Sequence, residues 1–270
     1  MACIAIVAHI KPPIFSLKNP EAFQIASSLP IPQPSAMIGT LAYCIAISQR
    51  MGSSEALRKA SQLVVCARST IKEESISAPS PIILWRFRIL DRGFEKPKEK
   101  GKKTTLYEDL RAHIARGDIS AAKSHLEFKL KDALYREYIF TESIIGVWVL
   151  NKEIDANILR FITRIGDTES YCSVSHVEKK ECSIRKVNEV ETRFPAPYDP
   201  NAEVSGDFII ISMCDEKRRL RRYVLPMKRE LVTTSRGSRI LVYRPTVIKI
   251  KFPKPVDVAE FDGEKIVVGI

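Results

Sequence analysis

Residues Ile14 to Ala46 read IFSLKNPEAFQIASSLPIPQPSAMIGTLAYCIA, and much of the fold turns on this stretch. Its first half, with the residues just before it, carries Pro12, Pro13, Pro20, Pro30, Pro32 and Pro34. Each proline fixes φ and removes a backbone donor, so Lys11 to Pro34 predicts neither helix nor central strand. An extended loop over the surface is expected. After Pro34 the character changes. Ser35 is expected to cap a helix over Ala36 to Met51, with apolar Ile38, Leu41, Tyr43, Ile45 and Ile47, and Gly52 ending it. Upstream, Cys3 to His9 is rich in Ile and Val and reads as a buried first strand.

Downstream, Glu55 to Arg68 reads as a second helix or as a helix followed by a strand. Ile82 to Leu90 (IILWRFRIL) alternates, with Trp85, Phe87 and Ile89 on one face and Arg86 and Arg88 on the other. Asp91 to Lys103 is a charged run without periodicity, the tip of a long hairpin or a loop. Thr105 to Arg116 and Ile119 to Lys131 follow as helices broken at Gly117. Strands are expected over Leu134 to Phe140 and Ile144 to Leu150, then a short helix over Asp155 to Arg164. The last third is strand-like: Ser173 to Val177, Phe208 to Met213, Leu220 to Leu225, Ile240 to Tyr243 and Thr246 to Phe252. Asp262-Gly263 between two apolar runs signals a hairpin. Helices mixed with strands early and strands alone late predict an α+β fold, an antiparallel sheet with helices on one face.

The chain has 270 residues, 45% of them hydrophobic and 28% charged, an ordinary globular composition. Its net charge of +11 is less ordinary and points to a polyanionic partner. The excess is localised. Leu84 to Lys131 holds 13 basic and 7 acidic residues, and Cys214 to Lys251 holds 12 and 3, so the remainder is net acidic. Aromatic residues lie among these basic ones: Trp85, Phe87, Phe94, Tyr107, Tyr135, Tyr138, Tyr223 and Tyr243. Rings beside cations suit single-stranded RNA, where bases stack and phosphates are neutralised. No apolar run approaches the ~20 residues of a membrane span, and no leader pattern opens the chain, so a cytoplasmic protein without membrane attachment is expected. The six cysteines and four histidines are scattered without ligand spacing, so neither metal nor cofactor is implied.

The Pro-rich loop followed by Pro34-Ser35-x-x-Ile38-Gly39-x-Leu41-Ala42-Tyr43 resembles the Cas five family of CRISPR-associated proteins, within the RAMP group. Arg136-Glu137-Tyr138 leading into a strand, and Thr163-Arg164-Ile165-Gly166-Asp167-Thr168-Glu169-Ser170, agree with it. The likeness covers about the first 170 residues and is closest to the archaeal type I-A branch. It implies a ferredoxin-like (RRM/RAMP) domain over 1–190 with a basic thumb insertion at about 91–131, and a smaller β-rich C-terminal part over 191–270. It also implies a non-catalytic subunit of a type I Cascade complex in antiviral defence. Such a subunit caps the 5′ handle of the guide RNA, contacts the Cas seven backbone subunit, and meets target DNA only through the complex. The RNA-binding residues expected on this basis are Lys18, Asn19, Ser35, Gly39, Tyr43, Arg86, Arg88, Lys100, Lys102, Lys103, Arg136, Arg164, Ser170, Arg219 and Arg222. The Gly-rich loop common near the RAMP C-terminus is missing here, and the basic run Lys217 to Arg222 is expected to take over its contacts.

The alternative is catalytic. The type I-C branch cuts precursor RNA without metal, which needs a general base, a general acid and a cation. His113 and His125, with Tyr107 and Lys102 or Lys103, are the candidates here.

Overall fold

The apolar run after Met1 forms β1 (Ala2–Lys11), and β2 (Ile14–Phe15) follows directly in the computed structural model, which describes residues 2–22, 27–87, 105–166 and 170–269. The Pro-rich segment then leads into α1 (Pro34–Gln49) and α2 (Ser53–Leu63), which passes straight into β3 (Val64–Ile71) and β4 (Ser77–Phe87). Next come α3 (Leu106–Ala115), α4 (Ile119–His125) with a π-helical turn, β5 (Lys131–Thr141) and β6 (Ile144–Leu150). A 3₁₀ turn over Ala156–Phe161 precedes β7 (Ser173–Thr192) and the short β8 (Ala196–Pro197) and β9 (Glu203–Ser205). The chain ends on β10 (Ile209–Cys214), β11 (Leu220–Leu225), β12 (Met227–Thr233), β13 (Arg239–Pro245), β14 (Ile248–Phe261) and β15 (Glu264–Gly269). The fold is mixed α+β and strand-rich.

The chain divides into two compact units, Met1–Ser80 with Glu137–Ile270, and Pro81–Arg136. This is not the expected division into 1–190 and 191–270. The main sheet of the first unit runs β15-β14-β7-β1-β6-β3, so the C-terminal strands extend the sheet that the first strand starts. β1 shows why both faces are covered. Ile6, Ala8 and Ile10 pack toward α1 and α2, while Cys3 and Ala5 face Phe194, Phe261 and Ile266 from the C-terminal part. The period of two along the strand sorts them. β6, buried at every position, lies between two ladders and two cores.

Four readings need correction. Pro34 rather than Ser35 opens the helix, with Gln33 as the capping residue, because proline is preorganised for the first helical turn. The helix ends on Arg50 in the left-handed region, ahead of Gly52. The Pro-rich segment is no surface loop: Phe15, Leu17, Leu29 and Ile31 are buried in the main core. β7 runs fifteen residues past Val177 to Thr192, despite its many Glu and Lys, because β1 pairs with its first half and β14 with its second. The Asp262-Gly263 hairpin is as read: both residues have positive φ, and Phe261 pairs with Glu264.

The second unit holds α3 and α4. Thr105 and Glu108 form a reciprocal capping box on α3, Asp118 caps α4, and Leu106, Leu110 and Ala122 make a small core. Among the described residues, no helix is long and apolar enough to cross a membrane.

Candidate nucleic-acid interface

The three motifs meet at the Pro-rich segment. Ser16 donates its N–H to Ser170 Oγ at 3.0 Å and its hydroxyl to the Glu137 carbonyl at 2.9 Å. Ser28 donates its N–H to Glu137 Oε2 at 2.8 Å. A Cβ on Gly166, whose φ is +107°, would stand 2.6 Å from the Ser16 carbonyl oxygen. Gly166 and Ser170 on one side and the Glu137 strand on the other therefore clamp the segment. Nearly every buried polar group in a native fold finds a partner, and here the motif residues supply them.

This clamp shapes a cleft of about 590 Å³ between α1 and the Thr163 turn, lined by Gly39, Tyr43, Thr163, Arg164, Gly166 and Tyr171 among others. Gly39 and Tyr43 lie one turn apart on the exposed face of α1. The two rings are unusually open for aromatic residues, Tyr43 at 46% and Tyr171 at 59%. Tyr43 OH stands 3.4 Å from Thr163 Oγ1. The Arg164 guanidinium lies 4.9 Å from the Tyr171 ring centroid and donates to its hydroxyl at 3.3 Å. Two open rings and a guanidinium held against one of them form a surface suited to stacking planar bases beside phosphates.

A basic hairpin, β10 and β11, stands at the start of α1. Cys214 N–H donates to Gln33 Oε1 at 2.9 Å, and Ser212 Oγ to Glu21 Oε1 at 2.6 Å. Its turn is knotted by Asp215, which accepts from the N–H groups of Lys217 and Arg219 and pairs with the Arg219 and Arg221 side chains. Burial works against the charge of Asp215, yet these N–H groups and guanidiniums hold its carboxyl below the usual range. From the same turn Glu216 pairs with the fully buried Arg68. Arg68 also donates to the carbonyls of Ala67, Pro195 and Val267 and lies 5.4 Å from the Tyr223 ring. One guanidinium thus joins β3, β15 and the hairpin.

The structure sorts the expected RNA residues. Gly39, Tyr43 and Arg164 share the cleft. Ser170 does not: it is fully buried and holds the clamp, so its hydroxyl faces Ser16 and not a ligand. Ser35 is half-buried in the first turn of α1 and caps nothing. Gly39 has no neighbour that a Cβ would meet, so helix packing does not require a glycine there. Lys18 is exposed, and Asn19 shapes the loop by accepting from Glu21 N–H at 3.0 Å. Arg219 is tied to Asp215, whereas Arg222 is exposed and makes no ion pair among the described residues. Arg136 is half-buried at the end of the second unit. The Arg86 side chain, and Arg88, Lys100, Lys102 and Lys103, lie outside the described residues.

Tyr171 and Thr163 went unread as site residues. Tyr171 directly follows the third motif, which was the available signal. In the second unit, His125 is buried with Nε2 2.8 Å from the Leu106 carbonyl, and its ring lies 5.8 Å from that of His113.

No family model matches the chain. A curated protein of Thermoproteus tenax named CRISPR-associated protein Cas5 is 28% identical over 173 residues, 63% of this chain. The match spans 65% of that relative's length. Among solved structures, a CRISPR protein from Archaeoglobus fulgidus superposes over 98% of each chain with a TM-score of 0.57 at 15% identity, a likeness of fold alone. A chain of a CRISPR RNA-guided surveillance complex aligns over 90% of each chain at 13% identity, with a TM-score of 0.39 that carries no argument. The resemblance to the Cas five family of CRISPR-associated proteins, carried at first by three motifs, thus extends to sequence similarity with an archaeal protein of that name over 173 residues.

Proposed function

We propose that the chain is a non-catalytic, RNA-binding subunit of a type I CRISPR Cascade complex, which holds the 5′ handle of the guide RNA and contacts the Cas seven backbone subunit. The observation that carries this reading is the cleft in which Tyr43, Arg164 and Tyr171 stand open together, with the basic β10–β11 hairpin at the start of the same helix. The segment β1-α1-α2-β3-β6-3₁₀ turn-β7 has the strand order β7-β1-β6-β3, the order of a ferredoxin-like domain with its second helix reduced to a turn. Pro81–Arg136, inserted after its second strand, takes the place of the thumb. A guide RNA read for target by base pairing needs from this subunit only a grip on a constant end.

Absence of catalysis is part of the proposal. What supports it is the commitment of His125 to the Leu106 carbonyl within a small core. The test is incubation of the purified chain with repeat RNA in EDTA. Intact RNA that stays bound is expected; a defined fragment lost on His113→Ala or His125→Ala would establish the ribonuclease instead.

A further inference from the structure

The cysteines at 3, 44, 66, 172, 182 and 214 show no redox spacing in sequence, but the fold regroups them. Cys3 and Cys182 are direct cross-strand partners in the β1–β7 ladder, in a stretch free of the register shift that occurs at His9 and Ile10. Both side chains lie in one cluster with Cys66, 7% and 8% exposed. Directly opposed residues of an antiparallel pair have Cα atoms about 4.5–5.5 Å apart and side chains on the same face. A disulfide accepts Cα separations of roughly 4.4–6.8 Å. Burial, and then a hydrogen bond with Cys3, pushes the Cys182 thiol up, in line with the cross-strand pairing of the two residues.

We propose that Cys3 and Cys182 form a cross-strand disulfide when the chain meets a small-molecule disulfide oxidant, RSSR. The Cys3 thiolate attacks one sulfur of RSSR and expels RS⁻. The Cys182 thiolate then attacks the Cys3 sulfur of the mixed disulfide and expels the second RS⁻. The two protons leave the protein thiols for the two RS⁻ groups, giving two RSH; the protein loses two electrons and the oxidant gains them. The bond closes the chain between β1 and β7 and restricts the unfolded state across nearly two thirds of the sequence. Because the thiolate is the nucleophile, the reaction accelerates with rising pH. Cys44 and Cys172 also lie near each other, with both thiols pushed up to about 12 by burial, but they face no register partner.

The full chain is incubated with oxidised glutathione at alkaline pH, unfolded in N-ethylmaleimide to block remaining thiols, digested without reductant and mapped by mass spectrometry. The expected product is a Cys3–Cys182 linked peptide with Cys44, Cys66 and Cys172 blocked. An upward Tm shift of about 5 °C or more, reversed by dithiothreitol, is expected with it. Cys182→Ser removes both signals and Cys66→Ser keeps them. Maleimide on both Cys3 and Cys182 after oxidation, or a link at another pair, would overturn the proposal. The peptide map of the unsubstituted chain decides this even if a variant does not fold.

Discussion

The Ser28 N–H donates to Glu137 Oε2 at 2.8 Å, joining the Pro-rich segment to a strand 109 positions away. The contact ties the Arg136-Glu137-Tyr138 strand to the Pro-rich segment, the carboxylate of one satisfying a backbone donor of the other. Removing the carboxylate strands a backbone donor, so Glu137→Ala is expected to cost about 1–3 kcal/mol. Urea unfolding, with the midpoint lowered and the slope kept, checks it.

Gly166 carries a sharper constraint. Its φ is +107°, and the Ser16 oxygen would stand 2.6 Å from any Cβ there, so a side chain has no room. Gly166→Ala is expected to destabilise by about 2 kcal/mol or more and to open the clamp. Hydrogen exchange at the Ser16 amide reads the opening directly.

The buried Arg68–Glu216 pair joins β3 to the hairpin. Removing one partner leaves the other charge unpaired, an effect of about 3–5 kcal/mol, so Arg68→Met is expected to unfold at markedly lower denaturant. Glu216→Gln keeps the shape but leaves the fully buried Arg68 charge uncompensated, so it is expected to destabilise as well. Equal midpoints for both variants and the unsubstituted chain would remove the lock from the account.

Asp215 gives a pH dependence. Its folded pKa is depressed below the ordinary 3.8, so its contribution is fully present above that value and is lost as pH falls through the folded value. Asp215→Asn is therefore expected to lower stability at neutral pH and to flatten the loss of stability below about pH 4. Denaturation midpoints at pH 7 and pH 3 for both proteins check the sign.

Much of this was legible in the residues. The Asp262-Gly263 hairpin was readable because its turn chemistry is local. The α3–α4 break at Gly117 was readable for the same reason. β7 was not readable beyond Val177, since its Glu and Lys residues become a strand only through β1 and β14 on its flanks. Of the candidate site, Gly39, Tyr43 and Arg164, expected from their motifs, line one cleft. Ser170, expected beside RNA, is instead buried in the clamp, since a motif residue that holds a clamp and one that touches a ligand look alike in sequence. Tyr171 was missed because its openness is a property of the folded turn.

The central claim is that single-stranded RNA lies across the cleft of Tyr43, Arg164 and Tyr171. The most direct measurement is the affinity of handle RNA for the unsubstituted chain and for a Tyr43→Ala/Tyr171→Ala variant, over a salt series, with circular dichroism confirming the fold. Stacking contributes about 1–3 kcal/mol per base, so the predicted result is a loss of at least tenfold with the salt slope preserved. Unchanged affinity in a folded variant would contradict the account.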